Sequence, residues 1–429
     1  YLFLAHFCAV SLMAPDQHDG LRHWEIPSTD PDRIILTFYG DPSTSRAVTW
    51  RTDKTVTKGV AQIAEATVNS KFTNDDTEVD AVTEAFDLGQ YKRNSSLIVH
   101  YHSVRFQGLK PDTLYVYRVG DGSKHWSEWI HFRTAKSTYA PIQFVYFGDA
   151  QNDILDHWSR VIRMAYQTAP SASFAIHAGD LVNTAHRDYE WAQWFKAGGF
   201  LHSQWTAIPA VGNHEFSAVN GGSRRVSIQW RPQFTLPVEK SLDPELHETV
   251  YSVDYQDVRI IVLNSNEKLE QQTKYLEDQL KNCTAKWKIV TCHHSVFSPA
   301  RGRDFKFARE NWKPLLDKYN VDLVLNGHDH TYARGHVPIR STDDASELGT
   351  VYVTSVSGPK QYGLDRKQIL AYKSQGYRSD KTAEQTQFFQ VISIEDNTLS
   401  YVAYTVMGDE YDRATITKDF ATGKKSLKD

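Results

Sequence analysis

The sequence predicts a two-part chain, an all-β immunoglobulin-like sandwich followed by a larger α/β (α+β) layered domain. Three observations carry that expectation. Up to about residue 140, short β-type runs separated by Gly, Pro, Asp, Asn and Ser dominate, with almost no helical periodicity. Beyond it, apolar runs of strand length alternate with amphipathic stretches of helical period, the pattern of a layered α/β domain. The 429 residues, 40% hydrophobic and 23% charged, are enough for two or three domains with sizeable cores.

The chain opens "YLFLAHFCAVSLMAP", too short to span a bilayer and suited to the apolar region of an export signal. Residues 1–23 therefore read as a signal remnant or N-terminal extension, which places the protein as secreted or periplasmic. No other segment is a transmembrane candidate. Residues 24–137 hold the sandwich of about seven strands, in runs such as "RIILTFYG", "RAVTWRTD", "KGVAQIAEA", "SLIVHYHSVRFQGL", "TLYVYRVG" and "SEWIHFRTA". The stretch "LKPDTLYVYRVGDG" resembles the Pro-containing turn and Tyr-rich strand of fibronectin type III modules.

The second domain spans 140–420. "IQFVYFGD" reads as a strand, "ILDHWSRVIRMAYQTA" as an amphipathic helix and "ASFAIHAGD" as a strand. "YEWAQWFKAGGFL" is then a helix, "TAIPAVGNHE" and "RIIVLNSN" strands, and "EQQTKYLEDQLKNC" a helix. "KWKIVTCHH" and "VDLVLNGHDH" are strands, with further strands in "FFQVISIEDNTLSYVAYTV".

A net charge of −4 without a long basic cluster implies neither a nucleic acid nor an anionic membrane as partner. Three cysteines, Cys8, Cys283 and Cys292, form no CxxC pair, so a cysteine zinc site and a disulfide framework are both excluded as organising features.

Chemistry concentrates at strand ends, where α/β sheets place their ligand sites. Five strands end in a residue suited to metal binding: Asp149, Asp180, Asn213 with His214, His293, and His328 with His330. A glycine precedes Asp149, Asp180, Asn213 and His328 and permits a tight turn there. In an extended segment His328 and His330 would point to one face and reach one point in space. Carboxylate, amide oxygen and imidazole together suit Mn, Fe or Zn, and a pair of ions needs a bridging carboxylate, for which Asp180 is the candidate.

The ordered series "GDAQ", "GDLVN", "GNHE", "VTCH" and "GHDH" resembles the calcineurin-like metallophosphoesterases, and with the N-terminal sandwich it most resembles the purple acid phosphatase branch. The resemblance implies a four-layer β-sandwich flanked by helices. It also implies that Asp149, Asp180 and His330 hold one ion, and Asp180, Asn213, His293 and His328 the other, about 3.5 to 4 Å away. Two divalent or mixed-valence ions of Fe, Mn or Zn would generate a hydroxide that attacks phosphorus, with His214 protonating the leaving alcohol.

The chain departs from that branch where its tyrosinate ligand would stand: the position is Asn183, and the histidine that other members use is Gln151. Loss of an anionic phenolate disfavours a ferric ion and predicts a colourless or weakly coloured protein. Gln151, Asn183 and Glu215 are candidates for an added ligand or for orienting one, and His294, Tyr332 and Arg334 for contacting substrate. The segments after "GNHE" and after "SVSGPK" are candidate specificity loops. Cys292 reads as a buried, inert thiol, and His157, His177 and His186 as structural or surface residues. The expected activity is hydrolysis of a small-molecule phosphate monoester. Alternatives are a phosphodiesterase or nucleotide-directed hydrolase at the same centre, or a non-catalytic binding protein.

Overall fold

The computed structural model describes residues 22–88, 97–218, 222–339 and 347–429. The export-signal reading, and the placement drawn from it, fall on residues 1–21, outside the described ones. Among the described residues no helix is long and apolar enough to cross a membrane.

The six runs quoted for the sandwich form strands Asp32–Thr37, Arg46–Asp53, Val60–Glu65, Ile98–Phe106, Leu114–Gly120 and Ile130–Arg133. Their inward side chains, among them Trp50, Phe106, Tyr117 and Phe132, pack a common core. Two more strands, Thr77–Asp80 and Val82–Asp87, arise from polar sequence that gave no signal. Both lie at sheet edges, where a strand needs no buried face and so carries no alternation of apolar residues.

The sandwich is joined to the second domain through a sheet. Strand Asp32–Thr37 pairs in parallel with Thr206–Pro209, with Thr37 opposite Ala207. Among the described residues this makes one eleven-stranded sheet. It runs from Lys425–Lys428 at one edge, through Phe388–Glu395, Ile142–Phe147, Phe174–His177 and Thr206–Pro209, into the sandwich. A second sheet of seven strands contains Val258–Leu263, Trp287–Cys292, Leu323–Asn326 and Glu347–Thr354 as parallel neighbours.

The two sheets stack. Phe144 and Tyr146 of the first share a buried core with Ile260, Val262, Ile289, Leu323 and Leu325 of the second. Helices cover the outer faces. Helix Trp158–Thr168 buries Trp158, Val161, Ile162 and Ala165, the spacing of one helical stripe. Helix Leu269–Lys281 buries Tyr275, Leu276 and Leu280 over Ile261, Val290 and Val324. The result is four layers, helix, sheet, sheet, helix. The first sheet continues past residue 420, where Lys425–Lys428 pairs with Thr415–Lys418. Lys418 and Lys425 then share the buried Asp322 at 3.0 and 3.2 Å.

Candidate metal centre

The strands that lead to the five polar strand ends run parallel within each sheet, so their carboxyl ends open on the same side. The turns that follow are tight. A Cβ on Gly212 would collide with Asp180 Oδ1, and Gly179, at φ +90°, lies where a Cβ would sit 2.7 Å from Gly212 N. Asp180, His328 and His330 adopt left-handed backbone at φ 50°, 71° and 51°, a conformation that costs energy in residues with a Cβ and that clusters at functional sites. His328 and His330 therefore converge through a bend, and the extended geometry expected for them is not what the chain uses. The strand stops at Asn326, and after the bend the chain resumes as strand Tyr332–Ile339.

Donor atoms collect in two groups. Asp149, Asp180 and His330 offer atoms within 4.8 Å of one another, and so do Asp180, His293 and His328; Asp180 belongs to both. Asn213 joins the second group, its Oδ1 lying 3.1 Å from His293 Nε2. His328 Nδ1 is 3.1 Å from the same His293 nitrogen. In the first group His330 Nε2 stands 3.3 Å from Asp149 Oδ2.

Backbone carbonyls fix which imidazole nitrogens face the cluster. His293 Nδ1–H donates to Ala178 O at 2.9 Å and His330 Nδ1–H to Lys360 O at 2.9 Å. Each Nε2 is thereby turned toward carboxylate oxygen, with His293 Nε2 3.2 Å from Asp180 Oδ2. Two buried carboxylates facing these nitrogens concentrate negative charge that a cation offsets. Asp149 Oδ2 is buried and receives no hydrogen bond.

The electrostatics agree. Burial and the Asp180 charge push Asp149 up to about 7, although His293 pulls the other way. Burial works against a charged His293, yet Asp180 and Asp149 together push it up to about 9. Asp180 itself is held well below the carboxylate range, against its burial, by His293 and His214. The donors thus fit a pair of cations.

Of the neutral amides, Gln151 reaches the donors. Its Nε2 lies 2.8 Å from Asp180 Oδ2 and 3.2 Å from His330 Nε2, while its buried Oε1 has no partner. Turning the amide over would aim that oxygen at the same place. Asn183 points elsewhere: its Nδ2 donates to Thr184 Oγ1 at 3.3 Å, and its contribution is the backbone carbonyl that accepts from His214 Nδ1 at 2.5 Å. Glu215 is no ligand. Its carboxylate accepts the backbone N–H of Asp180, Leu181, Val182 and Gly212 at 2.7–3.4 Å and so clamps the turn that carries Asp180. Burial and the Asp180 charge push Glu215 up to about 8, against those N–H donors. His214 Nε2 lies 3.9 Å from Asp180 Oδ2 on a side chain 26% exposed, at the open edge of the cluster.

Tyr332 and Arg334 do not face the site. Both lie on strand Tyr332–Ile339, two residues apart and hence on one face, and that face packs away from the donors. The Tyr332 hydroxyl donates to Asp412 Oδ2 at 2.5 Å. Arg334 is bound to Asp412 at 2.8 Å and to Asp380 at 3.1 Å with 2% of its side chain exposed. His294 does stand at the site, its ring centroid 4.1 Å from that of His328, held by the Ser265 hydroxyl at 2.8 Å. Burial and His293 push its pKa down to about 3. Cys292 is buried, and burial pushes its thiol up to about 12.

In the first candidate loop, Trp230 is buried and Arg231 binds the carbonyls of Pro244 and Glu245, whereas Arg224 caps the Asn213 carbonyl. Two more residues stand at the rim, Arg303, which carried no sequence signal, and Tyr362, in the candidate loop after "SVSGPK". The Arg303 guanidinium touches both ring nitrogens of His328 and donates to the Tyr362 hydroxyl at 3.2 Å. The Tyr362 ring packs edge-on against His330 at 4.8 Å.

Residues 31–134 match the purple acid phosphatase N-terminal domain family, and residues 142–332 the calcineurin-like phosphoesterase family. An uncharacterized protein of Mycobacterium tuberculosis is 29% identical over 348 residues, 72% of this chain and 62% of the relative. The chain thus spans less than two thirds of that protein's length. Purple acid phosphatase 23 of Arabidopsis thaliana is 25% identical over 396 residues, 80% of this chain and 82% of the relative. A solved purple acid phosphatase from seeds of yellow lupin, Lupinus luteus, superposes with a TM-score of 0.73 at 19% identity, over 92% of this chain and 76% of that one. PhoD superposes at 0.64 and 13%, over 94% and 92%. At these identities the two structures speak to the fold.

Proposed function

The chain belongs to the calcineurin-like phosphoesterases, on the branch that joins that domain to a purple acid phosphatase N-terminal domain, and from this premise we propose that it hydrolyses small-molecule phosphate monoesters. Membership supports a phosphoester hydrolase with a dinuclear metal centre; the ester class, the ligand assignment and the metals are our reading. The observation that carries it is the pair of donor groups sharing Asp180, with a buried Asp149 oxygen that no donor satisfies.

In this reading Asp149, Asp180 and His330 hold one ion, with the Gln151 amide beside it, and Asp180, Asn213, His293 and His328 hold the other. Ions of Fe, Mn or Zn held there would supply Lewis acidity to the reaction. The protein's side chains do the rest. Glu215 keeps the Asp180 turn in place through four backbone N–H groups. Arg303, freed from His328, pairs with a phosphoryl oxygen as guanidinium groups do. His214 presents Nε2 at the open edge, where it protonates the leaving alcohol as the ester bond breaks. Replacing His214 then slows esters with poor leaving groups more than esters with good ones.

The test is the rate on an aryl monoester and on the matching diester, with Mn, Fe or Zn added and then chelated. We expect the monoester to be preferred and chelation to abolish turnover. Preference for the diester would replace the monoesterase reading with a phosphodiesterase. No turnover of either ester with any metal would leave a binding protein.

A further inference from the structure

We propose that the N-terminal sandwich orients the His214 imidazole through Arg33, Asp188 and Glu190, making it a working part of the site. The inference rests on the reading of His214 as proton donor. Arg33 sits on strand Asp32–Thr37 where the register against the next strand shifts, and its backbone is left-handed at φ 51°. Such an irregularity turns a side chain out of the strand's alternation, and a non-glycine residue held there is strained. Here it sends Arg33 out of the sandwich. The guanidinium grips Asp188 with two bonds of 2.7 Å, the side chains being 3% and 1% exposed. Arg51 of the sandwich reaches the same carboxylate at 3.4 Å while paired with Asp32.

Asp188 is the first residue of helix Asp188–Gly198, so the grip fixes where that helix begins. Two residues on, Glu190 Oε2 accepts the backbone N–H of Asn183 at 2.8 Å and of Thr184 at 2.7 Å. Those bonds set the position of the Asn183 carbonyl. That carbonyl accepts the His214 Nδ1–H at 2.5 Å, which makes Nε2, at the open edge, the nitrogen that takes up a proton and passes it on. Apart from the helix turn that joins Asp188 to Glu190, each link is a hydrogen bond with a defined direction. The carbonyl has no side chain of its own to hold it in place, so its position depends on Glu190. A shift of about 1 Å in a catalytic group costs as much as a hundredfold in rate.

Plain interdomain glue predicts something different, namely lower stability with equal effects on all substrates. Two variants separate the readings. Arg33→Met with Asp188→Leu removes the pair without leaving a lone buried charge. Glu190→Ala frees the carbonyl without touching the domain contact, and Glu190→Gln keeps one oxygen able to accept both N–H groups. His214→Ala is the reference. Each is assayed on a nitrophenyl and on an alkyl phosphate, and the imidazole tautomer is read from ¹⁵N shifts of histidine-labelled, metal-free protein.

We expect Arg33→Met/Asp188→Leu and Glu190→Ala to lose about tenfold on the alkyl ester and less than twofold on the aryl ester. Both should also lose the pure Nδ1–H form of His214, and Glu190→Gln should retain rate and tautomer. If His214→Ala shows the selective loss while both other variants keep the wild-type ratio and tautomer, the inference is wrong and the donor role stands. If His214→Ala slows both esters equally, the donor role is wrong, and an unchanged tautomer in Glu190→Ala then overturns the relay as well.

Discussion

At Asp180 one buried carboxylate meets the backbone N–H of His214 at 2.8 Å on Oδ1, and Gln151 Nε2 and His293 Nε2 at 2.8 and 3.2 Å on Oδ2. Among the described residues no lysine or arginine pairs with it; its hydrogen-bonding partners are amides and imidazoles, and a shared cation is what such an arrangement favours. The absence of a phenolate has a visible consequence. Asn183 stands where tyrosinate would be, its side chain turned to Thr184, and Gln151 offers only an amide. Visible spectroscopy of the oxidised, metal-loaded protein should therefore lack an intense charge-transfer band. Such a band would mean that a tyrosine from elsewhere reaches the metal.

At the scale of strands and helices, the aromatic stack beneath the first sheet makes a pH prediction. His177 packs on Phe147 and Trp158, and His202 stacks on Trp194 at 3.9 Å. Burial lowers His177 to about 3 and His202 to about 4. The unfolded chain binds protons at these groups from pH 6.5 downward while the folded protein does not, so their contribution is complete above pH 6.5 and is lost as pH falls toward 4. Between pH 6.5 and 5 each costs about 2 kcal/mol of stability. Thermal melts of His177→Phe should show a flatter dependence over pH 5–7 than the wild type; an unchanged slope would contradict the assignment.

The same scale explains what could be read from the chain. Ligand-bearing strands were legible because a buried strand is a run of apolar residues and its end is marked by Gly and a polar residue. Thr77–Asp80 and Val82–Asp87 were not, since exposed edges carry no such pattern. Tyr332 and Arg334 misled because proximity in sequence to His330 says nothing about which face of the next strand looks into the site. Tyr362 lies in the segment after "SVSGPK" that loop character singled out, whereas Arg303 reaches the site from a loop that no motif or spacing announces.

For the whole molecule, the parallel pairing of Asp32–Thr37 with Thr206–Pro209 makes the sandwich a continuation of the catalytic sheet. Residues 140–429 expressed alone would bare that strand edge and strip Asp188 of Arg33 and Arg51, its partners in the sandwich. We expect that fragment to aggregate or to melt well below the full chain. Equal melting temperatures would show the two parts to be independent.

The pair of ions organised by Asp180 is tested most directly by metal analysis of the full chain and of Asp180→Asn, each purified without added ions and then loaded to saturation. The geometry predicts close to two ions per chain for the wild type and fewer than one for Asp180→Asn, with Asp149→Asn keeping one. A wild type that binds a single ion, or an Asp180→Asn protein that still holds two, would contradict a shared carboxylate at the centre of the site.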